Sequence, residues 1–237
     1  MLAVVLLFFL SIGGAQASTE ITMGVILFPP DVIIDEKTKE CVGINIAITR
    51  EILLKYDIKV NVICASPLRI YRMIEVGEID FTINIKSTKA LTQYVVFSDI
   101  PFRKIILNLY THNEPNQSKT ISTVRGFDYQ GYRQRYSDEG FEFIDLPNTI
   151  SAIQVFMKGR SRYMLSYESP VKHYMGITHL SMKNTVSIIP LLEIDSYYGV
   201  AKRSPHRHEL MQALSDYGEK HQARNFLSAW QQENLVK

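Results

Sequence analysis

Eight side chains in five candidate loops of this sequence are suited to binding a small polar molecule. They are the aromatic residues Phe28 and Tyr167, the amide Asn84, the cations Arg69, Lys86 and Arg125, and the acids Asp128 and Glu168. Guanidinium groups fork carboxylates and other anions, and aromatic rings stack on planar or apolar groups. The three cations face three acids when Asp31 is counted. This balance favours a polar or zwitterionic small molecule over a polyanion.

Arg69 is the most informative of these residues. Ser66 and Pro67 are typical of a helix N-cap and first-turn proline, so Arg69 is predicted in the first helical turn. A cation there opposes the positive end of the helix dipole. This cost favours a role for Arg69 in forking a carboxylate or another anion. The alternative is a solvated arginine paired with Glu75 or Glu78.

Three candidates in the first half of the chain have structural alternatives. Phe28 precedes two prolines and is predicted either to stack on a ligand or to pack in the core. Lys86 follows a predicted strand and could contact an anion, although a surface lysine is the common case. Asn84 could donate an amide hydrogen bond or simply occupy a turn.

The second half contributes two candidate loops. Arg125 and Asp128 lie on either side of Gly126, whose missing side chain would let backbone amides approach a ligand. The alternative is a salt-bridged surface turn. In the other loop Tyr167 is predicted to face the ligand. Glu168 could receive a cation, or could cap the helix that follows.

Other chemistries find little support in the sequence. The six histidines are dispersed, and no Ser-His-Asp, phosphate-loop or metal-ligand spacing is recognisable, so no cofactor or metal is predicted. Cys41 and Cys64 could form one disulfide or remain two buried thiols. A net charge of +2 with scattered basic residues argues against nucleic acid as the partner.

The elements predicted around these loops alternate between strand and helix. The segments "EITMGVI", "IKVNVICA" and "IDFTINI" read as strands separated by two helices, which predicts a parallel sheet covered by helices. Ligands bind beyond the carboxyl ends of such strands. A second α/β unit follows the strand "KIILNLYTH" and the polar linker "NEPNQSK". It comprises "TISTVRG", "FEFIDL" and "RYMLSY" with helices over 129–137, 149–158 and from 169 onward. The strands "NTVSIIPL" and "YYGVAKR" and a helical end over 205–235 complete the chain.

These elements predict a two-lobed protein with a cleft that closes by hinge motion. Residues 18–110 and 196–237 are predicted to form lobe 1, and residues 111–195 lobe 2. Residues 1–17, "MLAVVLLFFLSIGGAQA", are uncharged, apolar and end in small residues, as in a cleaved signal peptide. The predicted location is therefore the periplasm.

Several segments resemble the extracellular solute-binding proteins of family 3, the polar amino acid type. The opening "GVILFPPDVIIDEKTKECVGINIAITREIL" and "GEIDFTINIKSTKALTQYVVFSDIPF" are similar to that family's first lobe. "GRSRYMLSYESPVKHYM" and "YYGVAKR" are similar to its second lobe and return strand. The resemblance implies a type II periplasmic-binding-protein fold, α/β, in which each lobe is a mixed, mostly parallel sheet flanked by helices.

The resemblance also implies a ligand between the lobes, but two signature charges are displaced. The arginine that pairs with the ligand carboxylate in that family falls on Leu91 here. The acid that takes the ammonium group falls on Tyr167, with Glu168 adjacent. The sequence thus predicts a binding protein for a solute other than a standard α-amino acid, acting as a monomer with a separate permease or sensor. The alternatives are a dehydratase-like enzyme using Glu168 as acid or base, and a scaffold that binds a protein.

Overall fold

The computed structural model describes residues 18–114 and 118–235, which fold as a mixed α/β structure. The predicted signal peptide at 1–17 lies outside the described residues. The strands are β1 (Thr19–Val25), β2 (Ile33–Ile34), β3 (Cys41–Val42), β4 (Ile58–Cys64), β5 (Phe81–Ile85), β6 (Val95–Phe97), β7 (Arg103–His112), β8 (Thr120–Val124), β9 (Glu142–Leu146), β10 (Tyr163–Tyr167) and β11 (Val186–Ala201).

The helices alternate with the strands in both halves of the chain. They are α1 (Ile44–Leu54), α2 (Pro67–Val76), α3 (Tyr132–Asp138), α4 (Thr149–Met157), α5 (Glu168–Thr178), α6 (Arg207–Lys220) and α7 (Phe226–Leu235). Within the described ranges, none of them is long and apolar enough to cross a membrane.

The sheet runs through both halves without interruption. Among the described residues it has nine strands, in the order β4-β1-β5-β11-β7-β10-β8-β9, with β6 paired to β11. The pairs β1–β4, β1–β5, β8–β9 and β8–β10 are parallel, as expected for strands joined by crossover helices. Strands β7 and β11 pair antiparallel with each other and join the two parallel groups.

The prediction of two strands at 184–191 and 197–203 is wrong, because β11 is one strand of 16 residues. Its first part pairs with β7 from Val186 to Ser196, and its last part pairs with β5 from Ser196 to Val200. The register shifts between Pro190 and Leu192. Proline has no N–H to give to the ladder, so a bulge at this point keeps the strand continuous. The lobe boundaries at 110 and 196 stay a prediction.

Each half of the sheet has its own apolar core. Helix α1 turns the predicted face of Ile48 and Ile52, both fully buried, onto strands β1 and β4. In the other half Ile153 and Phe156 of α4 pack against Met164 of β10. Fully burying one such side chain contributes roughly 1.5–3 kcal/mol, so both halves have the means to hold their loops in place.

The two cysteines form a disulfide between β3 and β4, which resolves the alternative that the sequence left open. Cys41 and Cys64 lie 6.1 Å apart at Cα, inside the range of ordinary disulfides. They are separated by 23 positions that include all of α1. The bond therefore ties the β2–β3 hairpin to the edge strand β4.

We predict that reduction of this disulfide lowers the free energy of unfolding by about 3 kcal/mol, because the open chain regains loop entropy. Urea unfolding with and without reductant measures the difference. The double variant Cys41→Ala with Cys64→Ala is the control and should be insensitive to reductant. Equal unfolding midpoints of the wild type in both buffers would contradict the prediction.

Candidate ligand-binding site

A cavity of about 270 Å³ lies at the carboxyl ends of β1 and β5, facing the loop after β8 and the end of β10. Its lining comprises Met23, Gly24, Val25, Ile26, Phe28, Val32, Asn45, Tyr71, Ile83, Asn84, Ile85, Thr88, Lys89, Ala90, Arg103, Ile105, Gly126, Phe127, Asp128, Tyr129, Tyr167 and Ser196. Both halves of the sheet contribute. The cavity therefore lies between them, and its size is near the lower limit of small-molecule sites.

Four of the eight residues predicted for the site line this cavity: Phe28, Asn84, Asp128 and Tyr167. Phe28 is in the turn after β1, and Asn84 is the fourth residue of β5. Asp128 follows β8, and Tyr167 ends β10. The carboxyl ends of these strands meet at one place, as the parallel arrangement requires.

The three predicted cations lie outside the cavity lining. Arg69 is exposed on the first turn of α2. The Lys86 ammonium lies 4.0 Å from the centroid of the Tyr197 ring, a cation–π contact. Arg125 is exposed and donates from Nη2 to the Asp145 carbonyl at 3.3 Å. In this conformation their side chains are directed to the surface, and a role in binding stays a prediction for each.

Glu168 also lies outside the lining. Its Oε1 is 2.9 Å from Nζ of Lys172, one turn further along α5, in an i, i+4 ion pair. As the first residue of α5, Glu168 has its carboxylate at the positive end of the helix dipole. Among the described residues no side-chain hydrogen bond caps α5, and a role of Glu168 in binding a cation stays a prediction.

Three aromatic rings stand around Tyr167. Its centroid is 5.5 Å from Phe28, 6.2 Å from Phe127 and 6.1 Å from Tyr129. Phe127 and Tyr129 are also in edge contact at 5.6 Å. The interplanar angles range from 34° to 80°, so the rings approach one another from different directions. Phe127 and Tyr129 were not predicted as site residues, although both follow Gly126 in the loop that was.

Buried phenol groups supply hydrogen-bond donors to this region. The Val124 N–H donates to Oη of Tyr129 at 2.8 Å. Burial raises the pKa of Tyr71 to about 12 and raises the pKa of Tyr129 and Tyr167 well above the ordinary value. All three phenols are therefore protonated near neutral pH. Since the oxygen of Tyr129 accepts the hydrogen bond from Val124, its proton remains available for another acceptor.

Asn84 is fixed by its own neighbours. Its Oδ1 accepts from the Ile85 N–H at 2.9 Å and from Oγ1 of Thr88 at 2.7 Å. These two bonds fix the carbonyl side of the amide, so Asn84 is held in place at the cavity wall by its own loop.

Leu91, at the position where the resembled family has an arginine, is fully buried. It belongs to the core of Ile70, Ile74 and Val95 under α2. A cationic side chain at this place would be desolvated among aliphatic groups. The loop from 85 to 95 is therefore stabilised by apolar packing, and Leu91 presents no charge to the cavity.

The loop around Gly126 touches α2 across the cavity mouth. Gly126 has φ +89°, in the left-handed region that favours glycine. A Cβ added there would lie 2.9 Å from Cδ2 of Leu68 and 3.5 Å from Cβ of Pro67. The absent side chain therefore lets the loop approach the helix of the other half. Gly126 also lines the cavity, and the approach of a ligand to its backbone stays a prediction.

A buried ion pair at the cavity wall was missed by the sequence analysis. Arg103 Nη1 donates to Asp31 Oδ1 at 2.8 Å, and Nη2 donates to the other carboxylate oxygen. Ser169 Oγ donates to the same carboxylate at 3.4 Å. The Arg103 guanidinium carbon also lies 5.9 Å from the Phe28 centroid. The two partners are 72 positions apart, so no local pattern could have paired them.

Solved binding proteins have a similar fold. An ancestral arginine-binding protein bound to arginine matches with a TM-score of 0.72 and 18% identity, over 92% of this chain and 99% of that one. The GluR0 ligand-binding core from Nostoc punctiforme, in complex with (L)-glutamate, matches with a TM-score of 0.67 and 18% identity, over 90% of this chain and 98% of that one. A putative L-cystine ABC transporter from Listeria monocytogenes matches with a TM-score of 0.68 and 16% identity, over 86% of this chain and 92% of that one. No family model and no curated protein sequence matches the chain. The predicted α/β fold, that of two-lobed periplasmic binding proteins, is confirmed.

We predict that Arg103→Met lowers the free energy of unfolding by about 3–5 kcal/mol, because it leaves the Asp31 carboxylate buried and unpaired. The side chains of Arg103 and Asp31 are 15% and 6% exposed, respectively. The matched control is Lys104→Met, whose ion pair with Glu193 is 57% and 59% exposed and contributes about 0–1 kcal/mol. Urea unfolding measures both variants. Equal losses in the two would show that the buried pair has no special weight.

Proposed function

We propose that this protein is a periplasmic solute-binding protein that holds a small molecule in the cavity between its two halves. The main support for the proposal is the cavity of about 270 Å³. It is formed by strand ends from both halves and is lined by aromatic rings with a few polar groups. Three structures of similar fold are named for binding arginine, binding (L)-glutamate and transporting L-cystine. We infer that residues 1–17 direct export and that the mature chain acts as a monomer.

The proposed physiological partner is a separate membrane protein, either an ABC permease or a sensor. Closure of the two halves over a solute would present a surface that the open form lacks. The β7–β11 pair, which runs through both halves, is the natural hinge for this motion.

Binding accounts for the cavity better than catalysis does. Glu168, the residue on which a dehydratase-like mechanism would rest, is paired with Lys172 and lies outside the lining. The acid in the lining is Asp128, and no histidine of the described chain accompanies it there. A protein-binding scaffold is also less well supported, because such a protein has no need of a hollow interior of this size.

The cavity argues against the usual mode of α-amino-acid binding. Leu91 occupies the expected arginine position and is buried in the core. Arg103 reaches the wall, but Asp31 takes both of its terminal nitrogens. A ligand carboxylate would therefore find no unpaired guanidinium among the described lining residues. This supports the proposal that the solute is not a standard α-amino acid.

We predict that a thermal-shift screen of amino acids, organic acids, amines, peptides and sugars finds a stabilising solute. A ligand at 100 times its dissociation constant stabilises the folded form by about 2.7 kcal/mol. Phe127→Ala should reduce this stabilisation, because the ring lines the cavity. The control is Phe141→Ala, which removes a half-buried ring of the same half that packs on Tyr163 away from the cavity.

The two variants separate loss of binding from loss of fold. Both are expected to unfold more easily than the wild type without ligand, since both lose aromatic packing. Only Phe127→Ala should lose the response to the solute. An equal ligand response in both variants would show that the solute binds elsewhere. Turnover of a bound compound would show that the protein is an enzyme and would overturn the proposal.

A further inference from the structure

We propose that the solute is an organic ammonium ion without a carboxylate group, held by the Asp128 carboxylate within the aromatic rings around Tyr167. This proposal rests on the proposed function and names the ligand class of the same cavity. Four observations of the lining support it: one acid, a group of aromatic rings in mutual contact, an unpartnered buried acceptor, and the lack of a free buried cation.

Asp128 gives the cavity a negative charge without a partner cation. Its Oδ1 accepts a hydrogen bond from the Gln130 N–H at 3.2 Å, and the described chain makes no ion pair with it. It is half-buried and lines the cavity. An ammonium group would supply the charge that Asp128 lacks.

The rings beside Asp128 favour the same charge. Phe127, Tyr129 and Tyr167 lie within 5.6–6.2 Å of one another at angles of 34–80°. All three residues line the cavity. The negative face of an aromatic ring attracts a cation within about 6 Å, contributing about 2 kcal/mol or more when the site is desolvated. Organic ammonium groups are recognised in this manner.

Asn45 adds an acceptor on the opposite wall. It is 92% buried, lines the cavity from the first turn of α1, and its Oδ1 has no hydrogen-bond partner among the described residues. A buried amide oxygen left without a donor costs roughly 1–3 kcal/mol. A ligand N–H or O–H group would remove that cost, whereas a ligand carboxylate has no donor to offer.

The cations of the lining do not provide a carboxylate site. Arg103 is saturated by Asp31. Lys89 is exposed, so its ammonium remains hydrated at the cavity mouth. A carboxylate inside the cavity would be desolvated beside Asp128, a like charge. An amine therefore suits the cavity better than the amino acid that shares its side chain.

Isothermal titration calorimetry on the purified protein with matched ligand pairs tests the assignment. The pairs are phenethylamine with phenylalanine, tyramine with tyrosine, and agmatine with arginine, and 2-phenylethanol serves as the uncharged analogue. We expect at least one amine to bind at least tenfold more tightly than its amino acid. Asp128→Asn, which keeps the Gln130 bond and removes the charge, should weaken that amine at least tenfold.

The control is Asp138→Asn, which removes an exposed carboxylate of α3 away from the cavity and should leave the affinity unchanged. Tighter binding of the amino acid, or equal binding of 2-phenylethanol, would overturn the amine assignment. So would a neutral or anionic solute in the broad thermal-shift screen, although the binding-protein proposal would then stand. If neither the amines nor the broad screen gives a ligand, both proposals fall.

Discussion

The pairing of β7 with β11 is the interaction on which the rest of the structure depends. These strands are hydrogen-bonded from Val186 to Ser196 on one side and from His112 to Arg103 on the other. Beyond Ser196 the same strand β11 continues beside β5. The pair thus joins the two halves of one sheet, each with its own apolar core. Without it the strand ends that line the cavity would have no fixed relation to one another.

The β7–β11 pair also positions the arginine at the cavity wall. Arg103 is the first residue of β7, and Ser196 Oγ donates to its carbonyl at 2.8 Å. The backbone position fixed in this way brings the guanidinium to Asp31, in the turn after β1. The positive charge of Arg103 is therefore neutralised by Asp31 at the cavity wall. The electrostatic character of the interior is then set by Asp128, by the phenols and by ring faces.

The likeness in fold to amino-acid-binding structures does not by itself specify the ligand. The loop after β5 is anchored by Leu91 in the core beneath α2. This loop is therefore held by apolar packing, and Leu91 contributes no charge to a ligand. In this fold the loop course and the side chain that meets the solute are separable features.

The parallel arrangement of β1, β4 and β5 and most element bounds could be predicted from the sequence, because hydrophobic period, prolines and glycines act locally. Four lining residues could also be predicted, because they lie at strand ends, where parallel topology collects side chains: Phe28, Asn84, Asp128 and Tyr167. The continuity of β11 and the pairing of Arg103 with Asp31 are visible only in the folded chain. The same is true of the positions of Arg69 and Lys86 outside the lining. Those outcomes depend on contacts between distant residues and on side-chain direction, which no local spacing specifies.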